Sequence, residues 1–213
     1  MILLHSKKAI YLRVRRTGSS SLAHVFRRYR QPGDVFGVPG KRKWFVGPRA
    51  HKKVHATAAE VIARYGRDLW DAYFTFAFIR NPWDRIVSRY FWLVQRYQRG
   101  TLQNDHFRDW YEQAENSSFE AWCESDFVGL GDYQHQLDYL TDESGDIVVK
   151  KVARFEQYES DAAEILERLG LPNEMPHLNR TEHGHYRKYY TDKSRLIVER
   201  RFQKDIDTFN YSF

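Results

Sequence analysis

Two short stretches hold residue types suited to binding anions, and each lies where a strand gives way to a helix. Residues 11–26, YLRVRRTGSSSLAHVF, begin with the β-branched and aromatic look of a strand and end with Leu22, Val25 and Phe26 at helical spacing. Between them stand Arg15, Arg16, Thr17, Gly18, Ser19, Ser20 and Ser21. Backbone N–H groups at such a turn, the positive end of the helix and the arginine charges together suit a phosphate-class anion. Gly18 lets the backbone approach that ligand closely. Read alone, the serines are also ordinary helix caps. The G-x-x-x-x-G-K-[ST] loop of nucleotide triphosphatases is absent.

The second stretch, FAFIRNPWDRIVSRYF, occupies residues 76–91. Arg80 closes the apolar run YFTFAFIR, as in a strand buried on both faces. Asn81 can cap the following helix, Pro82 suits its first position, and Asp84 favours its first turn. Ser88 lies eight residues beyond Arg80 on that helix. In a parallel sheet both strand-loop-helix units open on one edge, so one ligand with two separated anionic groups would join them. Arg80 as a structural ion-pair partner and Ser88 bonded back to its own helix are the simpler alternatives.

The elements that position these residues alternate between strand and helix. KAIYLRV (8–14) reads as a strand within the apolar start MILLHSKKAIYLRV, and Ser19–Tyr29 as a helix. Residues 30–53 are turn-rich and basic, with a short strand expected at Trp44–Val46. TAAEVIARYG (57–66) is a helix with Thr57 and Glu60 in capping-box spacing and a glycine stop. Ile86, Val87, Tyr90, Phe91, Val94 and Tyr97 give the helix after Arg80 a wide apolar stripe. Residues 100–118 read as a loop or irregular helix, and FEAWCES as a short helix. A strand at Ile147–Arg154, a helix over 161–172 and an amphipathic helix from Asp192 to Phe209 complete the chain. This order predicts an α/β domain with a largely parallel sheet, and the length suits a single domain over 1–213.

Charge is unevenly spread. Residues 1–53 contain fourteen Lys and Arg against one acid, Asp34, while the remainder holds twenty basic and twenty-seven acidic residues. The basic quarter suits a nucleic acid, a nucleotide, or a sulfated or acidic polymer. No helix-turn-helix, zinc-finger or RNP-type pattern supports a nucleic-acid partner. No apolar run reaches the roughly 20 residues of a membrane span. Cys123, the one cysteine, excludes an intramolecular disulfide and a Cys-rich zinc site, and favours a cytoplasmic location. The HGH at 183–185 is too close-set to make a metal centre, so no metal is expected.

These motifs carry a family resemblance. RRTGSSSL resembles the 5′-phosphosulfate loop of sulfotransferases, usually written PKTGSTS or PKTGGTS, and FAFIRNPWDRIVSRYF resembles their 3′-phosphate motif. ARFEQYESDAAEILERLGLP and HLNRTEHGHYRKYY are similar to carbohydrate-type sulfotransferases of bacteria, so the likeness runs over residues 8–213. It implies a three-layer α/β/α fold of the nucleotide-kinase type around a mostly parallel sheet. It also implies 3′-phosphoadenosine 5′-phosphosulfate (PAPS) as donor and 3′-phosphoadenosine 5′-phosphate (PAP) as product.

By that resemblance Arg15, Arg16 and Thr17–Ser21 hold the 5′-phosphosulfate, and Arg80 and Ser88 the 3′-phosphate. Arg16 stands where the family has lysine: it keeps the charge but stays protonated, so it stabilises the leaving group without lending a proton. The acceptor is a hydroxyl-bearing molecule, a carbohydrate first, which the basic segment 41–53 would favour if acidic. Of the two histidines in RAHKKVHATAAE, His55 matches the base of uronyl 2-O-sulfotransferases better than His51 does. Otherwise it is a polar residue ahead of a helix cap. His183 and His185 are loop residues that could line the cofactor. Trp44, Trp92 and Trp110 are candidates for stacking on a sugar.

Overall fold

The computed structural model describes residues 1–39, 52–99, 108–125, 135–176 and 183–213. In chain order its strands are β1 (Ile2–Leu4), β2 (Ala9–Leu12), β3 (Val35–Phe36), β4 (Val38–Pro39), β5 (Lys52–Lys53), β6 (Phe74–Ile79) and β7 (Lys151–Arg154). Its helices are α1 (Ser19–Arg28), α2 (Ala58–Tyr65), α3 (Arg67–Ala72), α4 (Pro82–Gln98), α5 (Arg108–Glu115), α6 (Phe119–Glu124), α7 (Gln136–Leu140), α8 (Tyr158–Arg168), α9 (Asp192–Arg201) and α10 (Gln203–Phe209). The chain divides into two units, one of Met1–Ile79 with Gln136–Asn179 and one of Arg80–His135 with Arg180–Phe213. Among the described residues no helix is long and apolar enough to cross a membrane.

The first unit is built on a five-stranded sheet in the order β3-β1-β2-β6-β7. β2, β6 and β7 run parallel, the α/β arrangement that the alternating pattern predicts. The apolar N-terminus makes two strands where the sequence suggested one. His5–Lys7 form a 3-10 turn, Lys8 takes a left-handed backbone, and β1 returns antiparallel to β2. The polar Ser6-Lys7-Lys8 interruption is what a buried strand could not accommodate. Strand β7 is also shorter than expected. Ile147 makes an isolated bridge to Thr141, and the Lys150 amide donates to the Thr75 hydroxyl at 2.9 Å instead of to a neighbouring backbone. β4 and β5 form a separate two-stranded ladder.

Burial explains the aromatic run of β6. Phe76 and Phe78 are fully covered on one face, with Tyr11 stacked on Phe76 at 4.9 Å and Phe26, Ile165 and Leu166 packed around them. Each such aromatic pair is worth about 0.5–1.5 kcal/mol beyond its buried area. α2 begins as its sequence requires: the Glu60 amide donates to Thr57 Oγ1 at 3.2 Å and the Thr57 amide to Glu60 Oε2 at 3.0 Å.

The second unit packs helices. Asn81 caps α4 by accepting from the Trp83 amide at 3.0 Å, with Pro82 in the first turn. The apolar stripe on α4 is broader than the sequence suggests, because its first two turns are buried on nearly every side, Arg85, Ser88 and Arg89 included. Arg85 lies 3.6 Å from Asp205 of α10, and both are almost wholly covered. Trp122, Phe119, Val198, Phe202 and Ile206 complete the core. The single C-terminal helix read from the sequence is two, because Phe202 leaves helical backbone and turns its ring into that core.

Candidate functional site

Strand β2 leads into the first candidate anion element. Beyond Leu12 the chain runs through Arg13 and Val14, turns at Arg15 and Arg16, and enters α1 at Ser19. Thr17 is fully buried and donates its hydroxyl to the Val14 carbonyl at 3.0 Å. That hydroxyl therefore staples the loop, and Thr17 can serve an anion through its backbone only. Gly18 has φ +73°, and its carbonyl accepts from the Ser21 amide at 3.1 Å. Arg16 has φ +64° without being a glycine, a conformation costing about 1–2 kcal/mol. Ser19 and Ser21 are buried and Ser20 is half-buried, at the positive end of a ten-residue helix.

His55 lies in the same unit, two residues ahead of the Thr57 cap of α2. Its Nδ1 is 2.7 Å from the Arg13 carbonyl oxygen. A carbonyl can only accept, so Nδ1 carries the hydrogen and Nε2 is the proton-free nitrogen of the neutral ring. Burial, and then the charge of Arg15, lower the His55 pKa from 6.5 to about 3. The ring is thus held neutral, in one tautomer, beside the arginines of the loop. Its orientation is fixed by the backbone carbonyl of Arg13, and its Nε2 carries the free lone pair.

The second unit holds Arg80 and Ser88. Arg80 follows β6 directly; its Nε and Nη2 lie 2.9 and 2.8 Å from one oxygen of Asp84, and the residue is 7% exposed. Ser88 is 1% exposed one helical turn beyond Asp84. The simpler reading of Arg80 as an ion-pair partner is therefore realised, and Asp84 also fixes the guanidinium plane.

Several residues near these elements carry no mark in the sequence. Arg13 is buried, and its Nε has no hydrogen-bond partner among the described residues. Burial lowers its pKa, as expected for a cation taken from water. It lies at the end of the apolar run before the loop, where nothing local marks a buried arginine. Tyr158 donates its hydroxyl to the Gly18 carbonyl at 2.9 Å, a pairing far too long-range to read from sequence. Arg89 is also buried, its guanidinium 5.1 Å from the Trp110 ring and 5.9 Å from that of Trp122. Trp110 is thereby engaged inside the second unit, and Trp92 has Arg96 over its ring at 5.2 Å. His183 stacks on Phe91 and His185 on Tyr186. Trp44, His51, the expected strand at 44–46 and most of the basic segment 41–53 lie outside the described residues.

A model of the family described as "Sulfotransferase family" matches residues 1–212. A curated protein of Archaeoglobus fulgidus, described as an uncharacterized protein, is 28% identical over 127 residues, which is 59% of this chain and 92% of that protein. No solved structure matches the chain.

Proposed function

The chain belongs to the sulfotransferase family, and on that premise we propose that it moves a sulfuryl group from PAPS to a carbohydrate hydroxyl. The observation that carries the reading is His55: a neutral imidazole with its tautomer set by the Arg13 carbonyl, beside the loop of Arg15 and Arg16. The donor set of that loop fits a tetrahedral anion, with the first amides of α1, the Ser20 hydroxyl and two guanidinium-bearing residues close together. The bound donor would supply an activated sulfuryl group.

The chain's residues would divide the remaining work. Arg15, Arg16 and the amides of 18–21 would hold the 5′ group, and Arg16 would stabilise negative charge on the departing oxygen. Arg80, held in plane by Asp84, and Ser88 would bind the 3′-phosphate. His55 would take the acceptor's proton at Nε2. A pKa near 3 makes a weak base, but part of that depression comes from Arg15, and an anion on Arg15 offsets it. The second reading, a nucleotide-binding relative without transfer, is favoured by that weak basicity and by arginine at position 16.

Calorimetric titration with PAP, ADP and AMP tests the nucleotide half, with clear preference for PAP expected. Transfer from PAPS across neutral and acidic oligosaccharides tests the other half, and His55→Ala should lower turnover by on the order of 10² or more with PAP affinity retained. Equal affinity for the three nucleotides would overturn the donor assignment. PAP binding without transfer to any acceptor would select the second reading.

A further inference from the structure

A side chain from a distant segment of the first unit bonds to the 15–21 loop. β7 ends at Arg154, a 3-10 turn covers Phe155–Gln157, and α8 opens at Tyr158. The Arg154 amide donates to Asp161 Oδ2 at 2.8 Å, which ties this turn to the first turn of α8. The Tyr158 ring sits against Phe78 at 4.9 Å and Phe155 at 5.6 Å between centroids. From that fixed position its hydroxyl donates to the Gly18 carbonyl at 2.9 Å. A Cβ on residue 18 would stand 2.7 Å from Cε2 of this ring and 3.2 Å from Cε2 of Phe155, so the two rings close on the glycine.

The consequence follows from peptide geometry. The described chain has no cis peptide bond, and in a trans peptide the carbonyl and the N–H point in opposite directions. A Gly18 carbonyl held toward Tyr158 and the Ser21 amide therefore turns the Ser19 N–H the other way, at the positive end of α1. Left without the phenol, the Gly18–Ser19 peptide is anchored by the Ser21 amide alone of these two donors, and glycine offers little resistance to its rotation.

We propose that Tyr158 is a positioning residue for the anion-binding loop: its phenol holds the Gly18 carbonyl inward and thereby aims the Ser19 amide at the ligand. The inference rests on the reading of this loop as the donor's 5′ site. Burial pushes the Tyr158 hydroxyl up to about 12, so it remains a donor throughout the neutral range.

Tyr158→Phe keeps the ring and removes the oxygen. Amide hydrogen exchange of Ser19–Ser21, measured by NMR without nucleotide, should show the Ser21 amide exchanging at least about 5-fold faster than in the parent. Calorimetry on the same samples should show PAP bound about 10-fold more weakly. The KM for donor should rise with kcat little changed, a split that a merely structural loss would not produce. Exchange and affinity both within twofold of the parent would overturn the proposal. Weakened PAP binding with unchanged exchange would also overturn it, because Tyr158 would then touch the nucleotide itself. A parent that fails to bind PAP, with faster Ser21 exchange in the variant, would overturn the donor reading and uphold the role of Tyr158 in shaping the loop.

Discussion

The pH dependence of turnover is the sharpest test of His55. Burial first, and Arg15 second, bring its pKa from 6.5 to about 3 in the unliganded protein, against a partial recovery from the bond to the Arg13 carbonyl. At pH 5 an ordinary histidine is neutral in roughly 3% of molecules, whereas His55 is neutral in roughly nine-tenths or more. The profile of kcat/KM reports the free enzyme, so its acid limb should stay flat down to about pH 4. An unperturbed histidine base would instead lose about 30-fold by pH 5. The profile of kcat reports the complex, where an anion beside Arg15 offsets its charge, so that limb should move toward neutrality. Arg15→Gln should raise the kcat/KM limb in the same direction, by on the order of one pH unit. Initial rates of sulfuryl transfer from pH 4 to 8, at subsaturating and saturating donor and constant ionic strength, measure both profiles. A kcat/KM limb near 6.5 in the parent, or no displacement in Arg15→Gln, would show that a group other than His55 takes the proton.

The same depression of the His55 pKa has a folding signature. The folded value lies below the unfolded one, so between about pH 6.5 and 3 the unfolded chain binds more protons here. Stability from this residue is complete above the unfolded pKa and is lost as pH falls, by about 1.4 kcal/mol per pH unit between roughly pH 6 and 4. Urea unfolding of parent and His55→Gln across that window should show the slope reduced by that amount in the variant.

Other perturbations test the surrounding structure. Arg80→Ala should weaken PAP binding by at least about 30-fold, and Asp84→Ala, which frees the guanidinium plane, should weaken it less; calorimetry that finds Arg80→Ala unchanged removes the second anion element. Gly18→Ala meets both the positive φ and the Tyr158 ring at 2.7 Å, and should cost about 2–4 kcal/mol in urea unfolding, whereas a loss below about 1 kcal/mol would mean the ring gives way. Asp205→Ala should cost about 3–5 kcal/mol by leaving Arg85 buried beside a missing carboxylate, and the double change Arg85→Met with Asp205→Leu should recover most of it. Strict additivity of the single losses in that double variant would show that the two residues do not act as a pair.

What the sequence discloses here is what short-range chemistry dictates. The Asn81-Pro82 start of α4, the Thr57–Glu60 box and the buried run of β6 all declare themselves within a few residues, and the structure has each of them. The features that escape are pairings between distant segments. Nothing in DRIVSRYF marks Arg85 as buried until Asp205 arrives from α10. Nothing near His55 reveals its tautomer, because the carbonyl that sets it belongs to Arg13, just beyond β2. The N-terminal reversal escaped for a different reason: three polar residues between two apolar runs suit a turn as well as a strand's edge, and only pairing with β3 on the far side decides between them.

The first loop concentrates features that are unfavourable by themselves. Arg16 holds a left-handed backbone, Arg13 is a buried cation with an unpartnered Nε among the described residues, and Arg15 adds charge that is felt at His55. An unsatisfied buried donor alone costs about 1–3 kcal/mol. Such costs persist when surrounding structure over-determines them, and here it does: Thr17 is bonded to Val14, Tyr158 to Gly18, and the strand beneath is locked between β1 and β6. A stable sheet thus keeps positive charge in a place it would otherwise leave. An anion that relieves this repulsion should stabilise the folded first unit by mass action, in proportion to how much tighter it binds the folded chain. If the loop holds the proposed donor, a negative group among its arginines should offset the part of the His55 depression that comes from Arg15, while the larger part, due to burial, remains.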